Sequence, residues 1–125
     1  MLYDKKWDKK VKSVARARTV SPKHKLPGLE QWRQDLLAAA NYIREHGWIQ
    51  DRIEEYSGGR VCMLGSLIAV TGQWGDRADT ADEKLKLYHR GIRARCSVED
   101  WNDDPRRTKD QVIRALEQVA RKKEV

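Results

Sequence analysis

The densest set of chemistry-bearing side chains lies in eight consecutive residues. Trp101-Asn102-Asp103-Asp104-Pro105-Arg106-Arg107-Thr108 combine an aromatic ring, a carboxamide, two carboxylates and two guanidiniums. Two uses of such a stretch compete. In the first, it walls a small polar pocket in which Arg107 meets an anionic ligand through its planar donor fork. Trp48 and Gln50 would then stand on the far wall, and the candidate site is Trp48, Gln50, Cys62, Trp101, Asn102, Asp103 and Arg107. In the second, the stretch is structural. Trp101 plugs the core, Asn102 or Asp103 bonds loop amides, and Thr108 caps a following helix.

Other reactive types are thinly spread. His24, His46, His89, Cys62 and Cys96 stand far apart, without C-x-x-C or H-x-x-x-H spacing, so no metal site is expected. His46 suits a helix end, and both cysteines read as small buried hydrophobes of a reducing cytoplasm. Cys62 as a nucleophile would need His46 or His89 as its base. There is no G-x-x-x-x-G-K-[ST] loop and no G-x-G-x-x-G, so no catalytic residue and no cofactor is assigned, and the chain is read as non-enzymatic.

Charge gives the other chemical signal. The 125 residues carry 26 Lys and Arg against 19 Asp and Glu, a formal charge of +7. All of that excess lies in residues 1–28. Nine cations are found there (Lys5, Lys6, Lys9, Lys10, Lys12, Arg16, Arg18, Lys23 and Lys25) beside only Asp4 and Asp8, whereas residues 29–125 hold 17 of each sign. Tyr3, Trp7, Val11 and Val14 recur at spacings of 4, 4 and 3, and Lys5, Lys9, Lys12 and Arg16 at 4, 3 and 4. Two opposed stripes at helical period predict a basic amphipathic helix ending near Arg18. Pro22 and Pro27-Gly28 make 19–28 a linker. Such an arm suits three roles: docking its apolar stripe on the body, laying its cations along nucleic-acid phosphates, or attaching to an anionic membrane surface or acidic protein groove.

The body must position whatever chemistry exists. Leu29, Trp32, Leu36, Leu37, Ala40 and Ile43 share one helical face ahead of Gly47. Residues 51–60 read as a polar loop, and 61–71, apolar on nearly all sides, as a buried helix in which Gly65 and Ser66 suit close helix packing. Residues 72–79 read as loop. Thr80-x-x-Glu83 then matches a capping box opening a helix over 81–95. Ser97-x-x-Asp100 caps a short turn, and Thr108-x-x-Gln111 opens a last helix, 109–123. The long Asp-rich connection between 95 and 109 argues against a helix-turn-helix. The expected fold is therefore all-α, a compact bundle of about four helices over 29–125 preceded by the arm and linker of 1–28. No apolar run approaches a membrane span, no secretory leader is expected, and two cysteines do not make a disulfide framework.

Gly47-Trp48-x-Gln50, Cys62-Met63-Leu64-Gly65-Ser66-Leu67 and Trp101-Asn102-Asp103 with Arg107-Thr108 resemble a family of small uncharacterised domains in bacteria and their phages. Its pattern runs G-W-x-Q, C-x-x-G-A-L, W-N-D-x-x-x-R-T. The resemblance spans about residues 29–120, departs from the pattern at Ser66, where Ala is usual, and does not include the basic arm. It implies a fold and a bacterial or phage cytoplasm, and supplies no activity. The leading expectation is a non-enzymatic accessory protein that binds a nucleic-acid-containing assembly through its arm. The alternatives are a module whose body grips a host or phage protein, anchored by Trp32 or Trp74 where exposed, and a small-ligand binder built on Trp48, Trp101 and Arg107.

Overall fold

The computed structural model describes residues 29–123. The arm and linker expected over 1–28, with all nine of their cations, lie outside the described residues. Within them the chain is all-α: α1 (Gln31–His46), α2 (Met63–Thr71), α3 (Asp76–Tyr88), α4 (Arg90–Arg95), α5 (Val98–Asn102) and α6 (Lys109–Ala120). No described residue belongs to an extended strand. Isolated bridges join Trp48 and Glu54 to Val61.

Helix α1 is the organising element, because it packs on α6, α2 and α3. Its buried face carries Trp32, Leu36, Ala39, Ala40 and Ile43. It stops at Gly47, where φ is 96° and the amide donates to the Ile43 carbonyl, a left-handed ending that glycine reaches without a side-chain clash. Arg33, in the first turn of α1, donates to the Ala120 carbonyl at 3.0 Å, satisfying an orphan acceptor at the C-terminus of α6. Asp35, fully buried, receives Arg77 of α3 through both carboxylate oxygens, at 2.6 and 3.2 Å. This ion pair ties α1 to α3.

Helix α2 runs through the centre, buried from Met63 to Ala69. The close approach at Gly65 is made by backbone rather than by another helix. A Cβ there would sit 2.2 Å from the Ile53 carbonyl oxygen. Residues 51–60, read as polar loop, thus send Ile53 fully into the core.

Three sequence expectations need correction. Helix α3 begins at Asp76, inside the expected loop, with Gly75 as its N-cap. Asp76 and Asp79 in the first turn favour that earlier start by meeting the positive end of the helix dipole. Thr80 therefore does not cap. Its hydroxyl donates back to the Asp76 carbonyl at 2.8 Å from within the helix. The single helix over 81–95 is two helices, broken at His89, whose backbone is extended and whose Nδ1 accepts the Ile92 amide at 3.1 Å. Trp101 packs against the bend so tightly that a Cβ on Gly91 would lie 2.8 Å from its Nε1. Cys96, expected to be buried, is exposed and ends α4 in left-handed geometry, φ 61°. The Ser97 and Thr108 caps form as the sequence suggests, the latter as a full capping box.

Candidate functional site

The seven residues expected to form a pocket do converge, and Asn102 is their hub. Its side chain is wholly buried at the end of α5. Its Oδ1 accepts the Trp48 indole N–H at 2.6 Å and the Met63 amide at 3.0 Å. Its Nδ2 donates to Asp103 Oδ1 at 2.9 Å and to the Ile49 carbonyl at 3.3 Å. Gln50 Nε2 adds bonds to the Asn102 and Asp104 carbonyls at 3.0 and 2.7 Å, and Asp103 Oδ1 also accepts the Asp51 amide at 2.9 Å. A buried carboxamide has few donors and acceptors to satisfy, and every one here finds a protein partner.

Cys62 and Arg107 close the same structure from opposite ends. Cys62 is the N-cap of α2, and its Sγ accepts the Gly65 amide at 3.3 Å. Burial pushes its thiol up to about 12, so it stays protonated near neutral pH. Arg107 lies flat on Trp101, its Cζ 3.7 Å from the ring centroid, and its Nε donates to the Trp101 carbonyl at 2.9 Å. The other ring contact of Trp101 is His89, edge-on at 4.9 Å. The group works as a knot that ties residues 48–51, 62–63 and 101–107 together.

Beside the knot opens a cleft of about 730 Å³ that the sequence analysis did not identify. Asp51, Asp79, Asp82, Glu99, Asp100 and Asp103 line it, with Lys86 as the one cation among the described lining residues and Trp74 as an aromatic wall. Burial raises the Asp82 and Glu99 carboxyls above the ordinary carboxylate range, and for Asp82 the Lys86 ammonium at 2.9 Å opposes the rise. Among the described residues, no three or more His, Cys, Asp and Glu side chains converge as metal ligands. The cleft concentrates negative charge without forming a coordination shell. Trp32 is buried within the bundle and stacks on Tyr88 at 6.1 Å, so it is not an exposed anchor, whereas Trp74 is half-buried at the cleft wall.

The opposite charge collects across the step from Asp103 to Asp104. Asp104 accepts Arg95, accepts the Arg106 amide at 2.9 Å and has Arg106 Nε at 3.7 Å. These donors, the Arg106 amide first, hold its carboxyl below the ordinary range. Burial lowers the proton affinity of Arg107, with Asp104 opposing and the Arg95 and Arg106 charges adding to the fall. His89, pushed below the ordinary imidazole value by burial and then by Arg107, leads into a shallow second cleft of about 470 Å³ where Arg90 and Lys122 lie, with no carboxylate among the described lining residues.

Residues 29–122 match the family of unknown function DUF6197. The chain belongs to this family. No curated protein and no solved structure matches it. The DUF6197 match covers the helical body with its knot and both clefts, and does not extend over residues 1–28. No described helix is long and apolar enough to cross a membrane.

Proposed function

We propose that this chain is a non-enzymatic accessory protein of a nucleic-acid-containing assembly in a bacterial or phage cytoplasm. Lys5, Lys6, Lys9, Lys10, Lys12, Arg16, Arg18, Lys23 and Lys25 would contact phosphates, and the DUF6197 body would serve as the scaffold they extend from. The observation that carries this reading is the charge partition: nine cations against two carboxylates in 1–28, ahead of a body with 17 of each sign. Cations that replace condensed counterions on a phosphate backbone make affinity fall with salt. With about four phosphates neutralised, log affinity should fall against log salt with a slope of about −3 to −4. Titration of labelled DNA and RNA with the full chain at several salt concentrations tests this, and a salt-independent isotherm overturns it. Lys5→Glu with Lys9→Glu should weaken binding and leave the helical circular dichroism of the body unchanged.

A second reading, capture of a host or phage protein, is favoured by Trp74 on the wall of the acidic cleft. It predicts partner binding that survives nuclease treatment and is lost on Asp79→Lys with Asp100→Lys. The small-ligand reading of Trp48, Trp101 and Arg107 has less support, because the Trp48 indole N–H is spent on Asn102 and Arg107 Nε on the Trp101 carbonyl.

A further inference from the structure

We propose that the body itself carries a phosphate-contacting surface, formed by Arg90, Lys122, Arg95, Arg106 and Arg107, which continues along nucleic acid from the arm. The inference rests on the nucleic-acid reading above and extends it from residues 1–28 to the folded body.

The five cations are joined by a chain of contacts. Arg90 and Lys122 line one shallow cleft with His89. His89 stands edge-on to Trp101, and Arg107 stacks on that same indole. Arg95 and Arg106 meet Arg107 around Asp104. Among the described residues Asp104 is the one carboxylate in this run of contacts, and its oxygens are already engaged by Arg95 and by the Arg106 amide. Among the described residues these contacts set five cations against one committed carboxylate, a positive excess within a body whose charges otherwise balance.

Several of these groups are held ready for an incoming anion. The Trp101 ring lies against the Arg107 guanidinium and its carbonyl accepts from Nε, so among the described residues the terminal amino groups keep their donors. Asp104 orients Arg95 while the Arg106 side chain remains 92% exposed. A guanidinium already held in one plane loses less freedom when it grips a phosphate with two parallel bonds. Arg90 and Lys122 form no ion pair among the described residues. A partner that engages both this surface and a nine-cation arm must present negative charge repeatedly and densely, as a phosphodiester backbone does.

The test compares full-length variants on one fluorescein-labelled, mixed-sequence DNA duplex across a salt series. Arg90→Ala with Arg106→Ala is expected to weaken binding about tenfold at low salt and to flatten the log–log salt slope by about two, near one per lost contact. Arg114→Ala is the control, since Arg114 lies in a mixed-charge cleft with Asp110 and Glu117 and should leave slope and affinity unchanged. If Lys5→Glu with Lys9→Glu abolishes binding while the Arg90/Arg106 variant matches the parent, the arm reading stands and this inference is overturned. An equal loss from Arg114→Ala also overturns it, because any cation would then serve. If the parent itself does not bind, both readings fall.

Discussion

The Trp48 indole and the Asn102 carboxamide, 54 positions apart, meet at 2.6 Å, with the indole N–H donating to Oδ1. That one oxygen also takes the Met63 amide at the mouth of α2. The bond thus joins the chain leaving α1, the start of the buried helix and the end of α5.

Removing the carboxamide should cost more than one hydrogen bond. Asn102→Ala leaves the Trp48 N–H, the Met63 amide and the Ile49 carbonyl short of partners in a buried place. We expect a loss of about 2–4 kcal/mol, read as a lower urea midpoint with an unchanged denaturant slope. A loss below about 0.5 kcal/mol would show the bonds to be dispensable.

Gly65→Ala should be nearly as damaging for a different reason. Its Cβ would meet the Ile53 carbonyl oxygen at 2.2 Å, a backbone atom that cannot swing aside. A penalty of about 2–3 kcal/mol is expected from the same denaturation measurement. Gly58→Ala is the contrast: nothing lies within 4 Å of the added carbon, and the cost should come only from its left-handed backbone, φ 81°.

The two thiols should differ sharply in reactivity. Cys96 is exposed, and Cys62 is buried with its thiol pushed up to about 12. A disulfide-exchange reagent should therefore label one equivalent quickly in the native chain, at Cys96, and the second only on unfolding. Rapid labelling of both would show that the knot opens readily.

The acidic cleft should make stability depend on pH. Burial raises Glu99, so its favourable contribution is complete below the ordinary value of 4.5 and is lost as pH rises through its higher folded value. Glu99→Gln should therefore melt about 2–4 °C above the parent near neutral pH, with the gap closing in acid. His89 is lowered, so its contribution is present above 6.5 and is lost as pH falls through the folded value. Replacing it with Asn, which can still cap Ile92, should flatten that acid limb of the melting profile.

Some of this architecture is legible in the residues. The face of α1, the stop at Gly47 and the Thr108–Gln111 box are local patterns, and local physics is enough to read them. Thr80 and Glu83 match the same box pattern but lie inside a helix already started by Gly75 and two acidic residues. The break at His89 is hidden because the apolar spacing of Ala81, Leu85, Tyr88 and Ile92 runs straight through it. What packs against the bend is Trp101, which comes from another element. The grouping of Trp48, Gln50, Cys62 and Asn102 is visible from residue types, but whether their polar atoms face a ligand or one another is decided by docking. Between Arg90 and Arg107 the charges come in blocks, three arginines, four acids and two arginines, and only the turns around Cys96 and Asp103 decide which of them face the acidic cleft.

The buried carboxamide has a dynamic consequence as well. Because Asn102 clasps three stretches distant in the chain, none of them can fray alone, and the Met63 amide should exchange its hydrogen only through global opening. Loop, central helix and arginine-bearing corner would then behave as one cooperative unit, so a perturbation that loosens the corner should lower protection throughout α2.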